Sequence, residues 1–471
     1  MTVWNELAAL RPPLPEERAV AEEMVAEYAA RGYLRRTCRE MLLCPTGVIA
    51  HFYSLLARER PAHSPLAGRT DSGWMADADF CFVNVRASGL HGRPGNFLQA
   101  AKLLPALRVS AIHLGPFTDY DFGTIYAPRS VRTVAPQDVD PHAGLAPKRQ
   151  VHAFVEAAHM LDMAVGFDLL PHVAQFAVPV LMCPELFRWI RLAADRADLE
   201  GGLQMDEMLD PARQEQLTSE VRAVVAARLH AAGLHDLEAA EGDDDELRER
   251  RRRTYFGLIG EVIARGYWTI PSQSWAGTGV PAYAGYHHAG NYARFDYRGP
   301  DGADLSASAY HVVTPFAFYS GVPANRPPAE PTAYAPAIDY YSAIFAHWRD
   351  GFDFDFVRYD SVDHIFDSVV GGDPDHPTAD RPTPRVLQIA VERSKTAERP
   401  YIGNFAEHMG TEVEAYASLG FDLMLGSDML RRIDRALIED SFALVDRLVG
   451  LNSERATRFT VPFCTDTHDT G

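Results

Sequence analysis

Apolar and charged residues alternate at helical spacing through the first part of the chain. Residues 16–31 mix Ala, Met and Val with charged positions, and 51–58 continue in kind, which predicts an N-terminal helical extension over 1–75. From about residue 78 the pattern changes to short continuous apolar runs separated by amphipathic segments. The runs lie at 80–85, 109–114 and 164–170, with helices expected at 96–107 and 149–161. The rhythm returns with a helix at 337–349, a run at 354–359, a helix at 385–396, and runs at 401–405, 421–425 and 460–463. Strands apolar on both faces, alternating with helices, form parallel sheets covered on each side. The seven runs predict an α/β fold, a (β/α)8 TIM barrel lacking its last βα unit. A doubly wound open sheet shares the same periodicity.

Between the two halves, residues 173–336 are too many for a connecting loop. Helix-like pieces at 185–197 and 211–231 precede a stretch rich in Gly, Tyr and Pro at 277–331, which predicts an inserted domain over 173–336. The barrel then comprises 76–172 and 337–471. The charge run 243–253 places Glu246 before Arg250 and Glu249 before Arg253 at i,i+4 spacing, the pattern of a solvated helix face.

Composition narrows the partners. The 471 residues are 47% hydrophobic and 23% charged, as in ordinary globular proteins, and the formal net charge of -19 repels nucleic acids and anionic membranes. A neutral or cationic ligand fits better. Five cysteines, Cys38, Cys44, Cys81, Cys183 and Cys464, lack the paired spacings of a zinc site or a disulfide framework and read as reduced thiols. With no basic-then-apolar leader and no apolar stretch of membrane length, a cytoplasmic location is expected. Oligomeric state is not legible.

In a (β/α)8 barrel, chemistry sits where strands end. The third strand runs out through Asp168, Pro171 and His172, the fourth through Arg358, Asp360 and His364, the fifth through Glu407, and the seventh through His468 and Asp469. Asp360, Glu407 and Asp469 would thus converge on one pocket. Cleaving a glycosidic bond by double displacement needs one carboxylate to attack the anomeric carbon and one carboxylic acid to protonate the departing oxygen. Arg358, two residues before Asp360, shares its side of the strand and is expected to keep Asp360 ionised. Glu407 is expected to have a raised pKa, and the two carboxyls to stand about 5 to 5.5 Å apart.

The order Asp168, Arg358-x-Asp360-x-x-x-His364, Glu407, His468-Asp469 resembles the conserved strand ends of the α-amylase family of glycoside hydrolases, glycoside hydrolase family 13. The resemblance implies that Asp360 is the nucleophile, Glu407 the general acid/base and Asp469 the supporting carboxylate. It further implies substrate contacts from Arg358, His364, His468 and His172, an orienting role for Asp168 toward the arginine, and sugar stacking by Tyr126 in the loop after the second strand. His364 reads equally as an ordinary helix-start residue, and Tyr126 as a packing aromatic. No cofactor is required. Calcium remains open, since His172-Val173 replaces the family's Asn-His, and Thr467 stands where Asn is common. The implied substrate is an oligosaccharide or α-glucan, taken by hydrolysis or by glucosyl or maltosyl transfer, with isomerisation a further activity of the family. A non-catalytic α-glucan-binding scaffold is the alternative of another class. The chain stops at Gly471, before the eighth strand and C-terminal sandwich usual in the family, so a fragment of a longer protein is expected, with an unpaired sheet edge.

Overall fold

Three apolar runs before residue 173 become β1 (Phe80–Val83), β2 (Ala111–Leu114) and β3 (Ala164–Leu169). Four short strands follow, β4 (Val173–Ala174), β5 (Trp189–Arg191), β6 (Tyr267–Thr269) and β7 (Val312–Val313), and then β8 (Phe356–Tyr359), β9 (Gly403–Ala406) and β10 (Leu423–Met424). The structure, a computed structural model, describes residues 2–120, 125–187, 189–191, 211–238, 243–269, 312–313, 335–360, 362, 386–408, 412–425 and 435–462.

Six strands form one sheet in the order β1-β2-β3-β8-β9-β10, every neighbouring pair parallel. A doubly wound sheet reverses its strand order at a switch point; this one runs in chain order from edge to edge, as a barrel wall does. Helices Phe97–Leu103, Pro147–Met160, Ala335–Phe352, Val386–Ser394 and Val413–Ser418 each lie between consecutive sheet strands, and Arg435–Ser453 follows β10. The described residues therefore form part of a (β/α) barrel, and eight strands are not seen among them. Strands β2, β3, β8 and β9 are buried throughout, whereas β1 at the edge is half-buried. At the opposite edge, the seventh apolar run reaches the sheet as a single parallel bridge between Thr460 and Leu423.

The sheet's interior is filled by rings. Phe80 lies 5.4 Å from Phe356 and 6.1 Å from Phe405, and His113 lies 5.1 Å from Phe82 (ring centroids). Gly166 makes room for this layer, because a Cβ there would come within 2.4 Å of the Phe356 ring. Below the rings, Asp355 accepts from Val165 N at 2.8 Å and meets His159 Nε2 at 2.9 Å, fixing β8 against β3 at the end remote from the polar strand ends.

The N-terminal helices Val3–Leu10, Pro15–Arg31, Cys38–Leu43 and Thr46–Leu56 lie against this wall. Trp4 Nε1 donates to Ala153 O and Tyr53 Oη to Ala101 O, both at 2.7 Å, so the helices cover the outer layer of the first βα units. Thr37 and Glu40 cap the third helix reciprocally, and Gly32 ends the second at φ 76°, where a side chain would be strained.

Within 173–336, β4 pairs antiparallel with β7 and β5 with β6. Helices Pro211–Ala232 and Asp245–Ala264 place Leu217, Val221, Leu258 and Ile259 in the same core cluster as the sheet. The expected Glu246–Arg250 and Glu249–Arg253 pairs form, at 3.1 and 3.6 Å. The helix expected over 185–197 does not form over its described part: a 3-10 turn, Pro184–Leu186, leads into β5. The cause is tertiary, since the buried Trp189 exchanges two backbone hydrogen bonds with the Gln214 side chain, at 3.0 and 2.7 Å. No helix among the described residues is long and apolar enough to cross a membrane.

Candidate active site

The β-ladder itself carries the polar residues to one place. Asp168 on β3 is in register with Arg358 on β8, which is in register with Phe405 on β9. Two residues further along, Asp360 and Glu407 therefore lie on that same side of the sheet. Ladder bonds hold both: Asp360 N donates to Leu169 O at 3.2 Å and Glu407 N to Tyr359 O at 3.0 Å.

Arg358 is the hub. Its Nη1 donates to Asp168 Oδ1 and to Asp360 Oδ1, each at 3.0 Å, and its Nη2 donates to Glu407 Oε1. The guanidinium is 1% exposed, and Asp360 and Asp168 are 4% and 7% exposed. His172 Nδ1 lies 3.9 Å from Asp360 Oδ2. Tyr126 belongs to the cluster as well: burial and then the charge of Asp168 push its hydroxyl up, with Asp360 and Glu407 adding to the effect and Arg358 opposing it. The loop after β2 delivers that tyrosine by folding back on itself through bridges Thr118–Val134 and Tyr120–Pro128.

The electrostatic balance at Asp360 runs against the expectation drawn from Arg358 alone. Burial, and next the neighbouring Glu407, push the Asp360 carboxyl well above its usual range, with Arg358 only partly opposing them. One buried cation here serves three carboxylates, which is why Arg358 does not offset the rise at Asp360 in full. Burial also works against the Arg358 charge, but Asp168, Glu407 and Asp360 outweigh it and keep the guanidinium protonated. Asp360 and Glu407 stand near enough for the Glu407 charge to act on Asp360, and Arg358 bonds to both.

The pattern of the chain did not single out His113. Its Nε2 meets Asp168 Oδ1 at 2.7 Å, from a partner 55 positions away. A histidine inside the otherwise apolar run of β2 was the available signal. His172, at the position where the resemblance puts a calcium-ligating Asn, offers a buried imidazole beside Asp360 rather than a hard oxygen donor. That arrangement does not fit calcium. His364, His468 and Asp469 lie outside the described residues.

No protein-family model and no curated protein matches the chain. Among solved structures, it is similar to an α-amylase from Geobacillus thermoleovorans complexed with acarbose, at 13% identity and a TM-score of 0.34, over 74% of this chain and 51% of that one. It is also similar to the trehalulose synthase of Pseudomonas mesoacidophila, at 11% identity and a TM-score of 0.43, over 84% of this chain and 58% of that one. An isomaltulose synthase variant from Erwinia rhapontici in complex with D-glucose gives 10% identity and a TM-score of 0.42, over the same shares. The chain thus spans between 51% and 58% of the length of these three structures. At such identities and scores the likeness says nothing about substrate or mechanism.

Proposed function

We propose that the chain is a retaining α-glucan-active enzyme that cleaves α-glucosidic bonds through a covalent glycosyl-enzyme. The observation that supports it is the placement of Asp360 and Glu407 at adjacent strand ends, held by the two ends of one buried guanidinium. A buried carboxyl with a strongly raised pKa, beside a second acid and a buried cation, is an arrangement that clusters at active sites. In this reading Asp360 attacks the anomeric carbon while Glu407 gives its proton to the departing oxygen, and Glu407 then takes a proton from the incoming water or sugar hydroxyl. Asp168 and His113 hold the Arg358 plane, and Tyr126 faces the sugar. Asp469 supplies the third carboxylate. The preference for α-glucans rests on the order of the strand-end motifs.

When a sugar occupies the site, the guanidinium of Arg358 stabilises the Asp360 anion that attacks. Both half-reactions then follow from the same two groups, and the acceptor decides between hydrolysis and transfer.

Incubation with maltooligosaccharides, with products resolved by chain length, tests the reading. Shortened chains alone mean hydrolysis, and lengthened chains mean glucosyl or maltosyl transfer. Unchanged substrate that nevertheless binds the protein would replace the enzyme with a glucan-binding scaffold. Asp360→Asn is expected to lower turnover by about 10³-fold or more while leaving the fold intact. Glu407→Gln should slow substrates with poor leaving groups far more than activated aryl glucosides, because only the former require protonation.

A further inference from the structure

A cavity of about 370 Å3 lies away from the carboxylates, between the loop after β2, the first turn of helix Pro147–Met160 and helix Asp245–Ala264. This is the size of a small-molecule site, and none of Asp168, Arg358, Asp360 or Glu407 lines it. We propose that it is a second binding site, for a small organic phosphate whose body is apolar or aromatic.

The charge distribution gives the first reason. In a chain of net charge -19, five cationic side chains, Arg129, Lys148, Arg248, Arg251 and Arg252, line this cavity against two acids, Asp119 and Glu238, with Arg251 already held by the buried Asp243 at 2.8 Å. Asp119 grips Arg129 with both oxygens, at 2.8 and 3.0 Å, and so fixes the plane of its fork. Glu238 is already engaged by the Ser130 and Thr133 hydroxyls. Arg248 and Arg252 pair with Asp245 and Glu249 in solvent, where the carboxylates are 101% and 44% exposed. Such pairs are weak, so both guanidiniums can turn to a ligand phosphate, whose geometry matches the arginine fork.

The walls give the second. Val134, Val139, Val178 and Leu237 line the cavity with the rings of Tyr255 and Phe256. Arg129 stands 5.9 Å from each ring centroid and Arg252 stands 5.8 Å from that of Phe256, so cation and ring form one surface. Inorganic phosphate would leave that surface uncovered, and a neutral aromatic would leave the guanidiniums unused. The uncapped first turn at Ala146 and Pro147 adds a favourable dipole on the same side.

Calorimetric titration of the full chain with phenyl phosphate, inorganic phosphate and benzyl alcohol tests the proposal. Phenyl phosphate should bind at one saturable site and more tightly than either of the other two. In the Arg248→Ala/Arg252→Ala variant, whose present pairs lie in solvent and whose melting temperature should be unchanged, that affinity should fall about tenfold or more. Asp360→Asn should bind phenyl phosphate as the parent does. Absence of saturable binding, equal affinity for benzyl alcohol or inorganic phosphate, unchanged affinity in the double variant, or loss of binding in Asp360→Asn would each overturn it. None of these readouts requires turnover, so they stand apart from the proposed glycosidase activity.

Discussion

Asp138 is 1% exposed, and its nearest cation, Arg86 Nε, stands at 4.0 Å. Burial pushes its carboxyl up to about 7, with Arg86 pulling it down and Asp119 adding to the rise. An acid whose pKa is raised by folding binds more protons in the folded state. Stability is therefore lost as pH climbs from the unfolded value near about 4 through about 7, by at most about 1.4 kcal/mol per pH unit. Asp138→Asn should melt higher than the parent above pH 7, and the gain should vanish near about pH 4. A gain independent of pH in thermal melts would show that the carboxyl is not the cause. The same sign holds at Asp360, which burial and Glu407 also raise. Asp360→Asn is thus expected to gain stability at neutral pH as it loses turnover, a combination expected of a group strained for function. The rise at Asp360 was not legible from the chain, because burial, its largest cause, does not show in the motif Arg358-x-Asp360. The fold brings Asp168 and Glu407 to that guanidinium from 190 and 49 positions away.

At the scale of elements, short apolar runs named the sheet strands, most of them buried on both faces, and the helices between them up to Val386–Ser394 were legible from their periodicity, whereas Val413–Ser418 and Arg435–Ser453 were not expected. Two further features escaped. Segment 185–197 has a helical composition, but the packing of Trp189 against Gln214 draws its described part into a strand pair. Gly166 gave no sign of its partner, the ring of Phe356 on the neighbouring strand. A methyl group there meets ring carbons at 2.4 Å, so Gly166→Ala should destabilise by about 1 to 3 kcal/mol in denaturant melts. Shortening the ring by Phe356→Leu should restore part of the loss, and a double variant as unstable as the sum of the singles would disprove the contact.

For the whole molecule, the sequential strand order separates a barrel wall from a doubly wound sheet, a choice that periodicity left open. The parallel pairing explains why the polar strand ends were readable: in a sheet whose strands all run one way, every strand delivers its last residues to the same rim. The central claim is that Asp360 at this rim forms a bond to sugar. A fluorinated glucosyl fluoride, whose ring fluorine slows the second displacement, should leave a stable adduct detectable by mass spectrometry. The account predicts one added glycosyl unit, mapped by proteolysis to the peptide bearing Asp360 and absent from Asp360→Asn. An adduct mapped to another carboxylate, or fresh product of β-configuration without any adduct, would contradict it.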